Sequence, residues 1–207
     1  ERNQPIGINI GKNSDTPIEL AHEDYQYCMK EIFVLADYIT LNISSPNTSR
    51  LRELHSDNFL NKFLHEIKKT HTELSKKYQK KVPMVLKISP DIQYDDLEIL
   101  CKQMLDYEID GVIATNTTID KNSLSDKSFH ESKGGVSGKP LYKKSNTIIK
   151  DIKSMVKDDI IIIGAGGITS KEGAVEKLNS GADLLQLYTG LVYFGLDLIR
   201  EITQETT

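Results

Sequence analysis

The sequence predicts a parallel α/β fold, and two observations predict it. Six short apolar runs alternate with longer helical patterns along the 207 residues. None of the runs alternates strictly between apolar and charged side chains. Repeated β-then-α units imply parallel strands joined by right-handed crossovers. Unbroken apolar runs suit strands covered on both faces, as in a parallel sheet.

The first strand is read at Ile6–Gly11, and a stripe of Tyr25, Cys28, Met29, Ile32, Phe33 and Ala36 follows at helical spacing. A second strand at Tyr38–Ser44 precedes the stripe Leu60, Phe63, Leu64, Ile67 and Leu74, with Ser56 as its N-cap. Next come a strand at Val82–Ser89 and a helix carrying Leu97, Leu100, Cys101, Met104 and Leu105. The strand Asp110–Asn116 is followed by a helix with Ile148, Ile149, Ile152 and Val156. Ile160–Ala165 leads into a helix capped by Thr169 or Ser170 and ending near Gly181. The last pair is a strand at Asp183–Thr189 and a helix over Leu191–Ile202. The strand segments are rich in β-branched residues and bounded by Gly, Pro, Asn, Asp or Ser; the helices show the 3.6-residue period.

Six units in this length take about 35 residues each, whereas a full (β/α)8 barrel takes about 250. By arithmetic alone an open doubly wound sheet and a barrel cut at its N-terminal side are equally consistent. A start almost directly on a strand is what a truncated barrel predicts.

Composition narrows the function. Lys plus Arg total 26 and Asp plus Glu 30, a net charge of −4 with no long basic run, which argues against nucleic acid as a partner. No apolar run reaches the length of a membrane span, and Glu-Arg-Asn-Gln-Pro does not resemble a signal peptide. Cys28 and Cys101 are read as buried reduced thiols, the five histidines as non-catalytic, and Lys76–Lys81 as a solvated helix end. With no carboxylate or histidine cluster at the strand ends, no metal site is predicted.

The informative anomaly is polar residues inside apolar strands. Asn9 stands between Ile8 and Ile10, Asn42 between Leu41 and Ile43, and Lys87 between Leu86 and Ile88. Thr115 and Asn116 end the fourth strand, and Gln186 and Tyr188 lie in the sixth. An unpartnered buried amide costs about 1–3 kcal/mol and an ammonium more, so one such residue is an oddity and five strands of them are a site. Ligands of parallel α/β folds bind at the C-terminal strand ends, where amides and one cation suit a planar heterocycle. Gly164, Gly166 and Gly167 form a turn opening a helix, an anion site in kind, and with Tyr188 and Thr189 they predict a phosphate. Two loops complete the set: Ser44-Ser45-Pro46-Asn47-Thr48, and the polar stretch Thr118–Lys139 with its KGGVSG segment, read either as a lid or as a plain surface loop.

Seven stretches in order carry a resemblance over essentially the whole chain: GINIGKNSDT from Gly7, YITLNISSPNT from Tyr38, VLKISPD from Val85, DGVIATNTT from Asp110, GGVSGKPL from Gly134, IIGAGGI from Ile162 and LLQLYTGL from Leu184. This pattern resembles class 2 dihydroorotate dehydrogenase, the quinone-linked flavoenzyme family of pyrimidine synthesis. The resemblance implies a single FMN-binding (β/α)8 TIM-barrel domain over residues 1–207, incomplete at its N-terminus and holding strands three to eight. It implies FMN contacts for Asn9, Asn42, Lys87, Thr115, Gly138, Gly167, Tyr188 and Thr189, and pyrimidine contacts for Asn42, Asn47, Asn116 and Thr117. Ser45 matches the catalytic base, a position where cytosolic class 1 relatives carry Cys. The implied partners are dihydroorotate, orotate and a quinone, with the whole enzyme peripheral to the cytoplasmic side of the inner membrane through an N-terminal element lacking here. Two departures stand out: Ser49-Arg50 where the family has Pro-Gly, and Thr189 where Ser is common. Other readings of the residues are a phosphate-sugar aldolase using Lys87 as a Schiff base, or an inactive fragment associating through its open sheet edges.

Overall fold

The computed structural model describes residues 4–48, 50–55, 57–122 and 124–206. Six strands, β1 (Gly7–Ile10), β2 (Tyr38–Asn42), β3 (Met84–Lys87), β4 (Gly111–Ala114), β5 (Ile161–Ala165) and β6 (Leu184–Gln186), alternate with six helices. The helices are α1 (Ala21–Ile32), α2 (Asp57–Tyr78), α3 (Tyr94–Asp106), α4 (Tyr142–Val156), α5 (Lys171–Asn179) and α6 (Thr189–Thr206), the last broken at Gly195. The strands lie side by side in chain order, every pairing parallel, in a curled half-barrel. Among the described residues β1 and β6 have one neighbour each, so the sheet keeps two open edges.

Alternation along the strands divides the sheet into two faces. Ile10, Ile39, Leu41, Met84, Leu86, Val112 and Ile162 point outward and are buried beneath the helices. Each predicted helical stripe supplies the matching surface: Tyr25, Met29 and Phe33 from α1, Leu60, Phe63, Leu64 and Ile67 from α2, Leu97, Leu100 and Met104 from α3, Ile149 and Ile152 from α4. The inner face holds a small apolar layer of Val85, Ile113 and Ala165, with Tyr38 and Ile163 beside it. Toward the N-terminal strand ends this face lines a broad recess of about 1030 Å³ with Tyr38, Val85, Ile161, Ile163 and Leu184.

Several sequence expectations need correction. Coverage on both faces holds for β4 but not for β5 and β6, where Ile161 and Leu184 are about half exposed because half a barrel leaves its interior open. Cys28 is only partly buried, and Leu105 lies off the buried stripe. The strands end earlier than predicted: Thr189 already begins α6. Of the two candidate caps, Ser170 is the one whose hydroxyl accepts the Gly173 N–H, at 3.2 Å. Ser56, the other predicted cap, lies outside the described residues. Lys80 is not merely solvated; its ammonium donates to the Val34 and Ala36 carbonyls at 3.0 and 2.7 Å, satisfying chain that leaves α1.

One buried cation was not foreseen. Lys177 of α5 is 0% exposed, donating to Asn146 Oδ1 at 2.6 Å and Ser145 Oγ at 3.0 Å. The Ser145 hydroxyl in turn donates to the Ala165 carbonyl at the end of β5, at 2.5 Å. Burial pushes the Lys177 amine down to about 8. Its folded value lies below that of a free lysine, so unfolding takes up a proton between about 8 and the ordinary value. Stability conferred by this residue therefore rises with pH across that window. In thermal melts between about pH 7 and 10, the unaltered protein is expected to gain on Lys177→Met as pH rises. A gap independent of pH would contradict a depressed amine.

Candidate functional site

At the C-terminal ends of the strands lies a cavity of about 350 Å³. Its volume is in the range of small-molecule sites, about 300–1,000 Å³. Lys87 from β3, Thr115, Asn116 and Thr117 beyond β4, Gly166 and Gly167 beyond β5, and Gln186, Tyr188 and Thr189 from β6 and α6 all line it, with Ser137 and Gly138 closing one side. Eight of the predicted residues thus share one wall system: Lys87, Thr115, Gly138, Gly167, Tyr188, Thr189, Asn116 and Thr117.

The register explains the convergence. Asn42 pairs with Lys87, and Lys87 with Ile113, two residues before Thr115; Ala165 pairs with Gln186. Paired residues in a parallel sheet share a face, so these side chains all project inward. Lys87 is partly buried, and burial pushes its ammonium below the ordinary lysine value. Its Nζ donates to Gln186 Oε1 at 3.4 Å, a neutral amide, and among the described residues it makes no ion pair. A desolvated cation with only a neutral acceptor leaves attraction for an anionic ligand.

A hydrogen-bonded knot links β2, β3 and β4 beside the cavity. Asn42 Oδ1 accepts from the Ser44 N–H at 3.3 Å and from Asn116 Nδ2 at 3.1 Å. The Ser44 hydroxyl, fully buried, donates to the Lys87 carbonyl at 2.6 Å and accepts from Asn116 Nδ2 at 3.1 Å. Tyr25 of α1 donates its hydroxyl to the Asn42 carbonyl at 2.7 Å, and burial holds that phenol protonated, well above its ordinary pKa. Asn42 therefore joins the cavity residues through Asn116.

Ser45, Asn47 and Asn9 stand apart from the cavity lining. The Ser45 hydroxyl, half-buried, accepts the Asn47 N–H at 3.3 Å. The Gly134–Gly138 segment folds back over this loop, tied by an antiparallel bridge between Thr118 and Val136. Gly135 lies so close to Thr117 and Pro46 that a side chain there would displace one of them. Within the long loop the Gly134–Gly138 end packs on the strand-end loops, while residues 125–133 are exposed. Asn9 is exposed on the inner face of the edge strand β1, in register with Thr40.

The glycine turn and Tyr188 and Thr189 line the same cavity. Gly167 has φ +75° and sits against the Tyr142 backbone; Thr189 Oγ1 donates to Ser137 Oγ at 2.9 Å. Sequence reasoning missed Ser44, Ser137 and the role of Gln186, because single hydroxyls and amides have no spacing signature. For Gln186 its place between Leu185 and Leu187 in the sixth apolar run was the available signal.

With this geometry in hand, likeness to known proteins is decisive. The dihydroorotate dehydrogenase family model matches residues 1–207. The chain belongs to that family. It is 44% identical over 202 residues to dihydroorotate dehydrogenase (quinone) of Acinetobacter baylyi, covering 98% of this chain and 60% of the relative. The protein of the same name from Buchnera aphidicola is 49% identical over 197 residues, 95% of this chain and 59% of the relative. A crystal structure of DHODH in complex with ferulenol from Eimeria tenella superposes with a TM-score of 0.89 at 30% identity, over 99% of this chain and 58% of that one. The six strands are thus a fragment of the family's TIM barrel, and the chain spans about three-fifths of the length of these relatives.

Two glycines near the turn should respond oppositely to alanine. At Gly167 a Cβ would lie 2.5–2.6 Å from Tyr142 Cβ and Cα, in a left-handed conformation, so Gly167→Ala is expected to cost at least about 1 kcal/mol. At Gly173, inside α5 with ordinary contacts of 3.5–3.6 Å, alanine is expected to gain about 0.5–1 kcal/mol. Denaturant melts of both variants check the sign.

Proposed function

We propose that the protein containing this chain oxidises dihydroorotate to orotate, with FMN as cofactor and a quinone as final acceptor. The observation that carries this reading is the Lys87 ammonium, partly desolvated at the cavity wall and met, among the described residues, by a neutral amide. A flavin-type cofactor goes with the family, and the residues fit one. The cation favours an electron-rich ring, and the glycine turn favours a phosphate. The flavin, when bound, supplies the hydride acceptor for the C6 hydrogen of the substrate.

The chain's own residues do the rest. Lys87, Thr115, Asn42 and Asn9 would hold the ring and ribityl portion, and Gly138, Gly167, Tyr188 and Thr189 the phosphate end. Asn42, Asn47, Asn116 and Thr117 would orient the pyrimidine for reaction. Ser45 takes the proton from C5. Among the described residues no His or carboxylate hydrogen-bonds its hydroxyl, so the proton passes on through a water or hydroxyl relay. Lys87 stabilises negative charge that develops at the cavity wall as the hydride leaves C6. The quinone acceptor and a peripheral membrane location rest on the relatives' name and the resemblance. No described helix is long and apolar enough to cross a membrane. Those relatives favour dehydrogenation over Schiff-base chemistry at Lys87.

The whole protein is expected to be yellow, to bleach anaerobically with dihydroorotate and to regain colour with a quinone. A folded, FMN-loaded protein that dihydroorotate leaves yellow contradicts the proposal. Lys87→Ala is expected to slow bleaching by about a hundredfold or more while the melting temperature moves little.

A further inference from the structure

Behind the Ser45 loop lies a compact ionic cluster that the site above does not use. Asp91, four residues past Lys87 at the end of β3, has a side chain 15% exposed and accepts four hydrogen bonds. They come from Arg52 Nη1 at 2.8 Å, Lys144 Nζ at 2.5 Å, Thr118 Oγ1 at 2.5 Å and the Ile119 N–H at 2.9 Å. Burial alone would raise the Asp91 carboxyl, but the bonds from Lys144, Thr118 and Ile119 outweigh it and hold the group below its ordinary value. Arg52, on the short 3₁₀ turn Leu51–His55, spreads its guanidinium over three loops. Besides Asp91 it donates from Nη2 to the Thr117 carbonyl at 3.1 Å and from Nε to the Ser44 carbonyl at 3.4 Å.

The Ser44 carbonyl belongs to the peptide whose nitrogen carries Ser45, so Arg52 grips the link leading directly into that residue. The Thr117 carbonyl lies next to Asn116, which is tied to Asn42 and Ser44. One planar fork therefore sets the distance between the proton-accepting loop and the wall proposed to hold the pyrimidine. Asp91 fixes the fork, since its carboxylate is itself held by donors from α4 and the β4 loop. A lysine at position 52 would keep the charge but lose the fork, because an ammonium cannot reach three acceptors in one plane.

We infer that Arg52 and Asp91 are positioning residues for proton removal, holding Ser45 at C5 of the substrate through the Ser44 and Thr117 carbonyls. The inference rests on the proposed dehydrogenation. It separates the two hydrogens: displacement of Ser45 slows departure of the C5 proton without touching hydride departure from C6 or later oxidation by quinone.

The test uses the full-length FMN-loaded enzyme and its Arg52→Lys and Asp91→Asn variants. Anaerobic bleaching is followed by stopped flow with dihydroorotate deuterated at C5 or at C6, and amide exchange is measured on the peptide covering 43–48. Expected in both variants are bleaching slowed by about ten- to a hundredfold, a larger C5 isotope effect, a smaller C6 effect and faster exchange of that peptide. FMN retention and the rate of re-oxidation by quinone should match the unaltered enzyme. Bleaching at the normal rate, or exchange unchanged at 43–48, overturns the inference. So does slowing with equal changes in both isotope effects or with loss of FMN, the mark of a merely structural role. If dihydroorotate does not bleach the unaltered enzyme, the dehydrogenation reading fails and the inference with it; failure confined to the variants leaves that reading standing.

Discussion

A partly buried positive charge, with no ion-pair partner among the described residues, is the constraint around which this molecule is arranged. Lys87, the last residue of β3, projects onto the inner face of the sheet, where among the described residues the Gln186 amide accepts its hydrogen bond. Placing an ammonium there is unfavourable unless something anionic or electron-rich comes to it. The fold bears that cost because the opposite face of the same strand is packed: Met84, Leu86 and Ile88 are completely buried under the helices. Stability comes from one face of the sheet, and the chemistry is left to the other.

The strand-end loops convert this placement into a site. Asn42, Ser44 and Asn116 share hydrogen bonds across three strands, so no amide in the knot is free to swing independently. Around them, the Arg52–Asp91 pair joins the second, third and fourth loops, and the Gly134–Gly138 segment covers the Ser45 loop. Lys177 plays a parallel part on the far side, bracing α4 and the end of β5 behind the glycine turn. Buried polar groups recur here wherever a loop must hold its place.

Much of this was legible in the residues. The six strands and six helices follow from β-branched runs and 3.6-residue stripes, and the inward placement of Asn42 and Lys87 follows from their position between aliphatic neighbours. What escaped has a common physical character. Asp91 and Arg52 are 39 positions apart, and their pairing depends on the curl of the sheet. Lys177 looks like any helical surface lysine until Gly164, packed against its side chain, lets α5 approach β5. Strand edges were misjudged for the same reason, since a sequence pattern reports a buried strand but not whether its neighbour is present. Asn9 illustrates this: it faces inward as expected, yet on an open edge it is exposed.

In the proposed dehydrogenation the Lys87 charge acts on the electron-rich ring that occupies the cavity. The most direct measurement is the midpoint potential of FMN bound to the full-length protein, by spectroelectrochemical titration, compared with Lys87→Gln. A partly buried cation beside the ring stabilises the reduced, more negative form, so a higher potential is expected in the unaltered protein than in the variant. Equal potentials in two proteins that both retain FMN would contradict it.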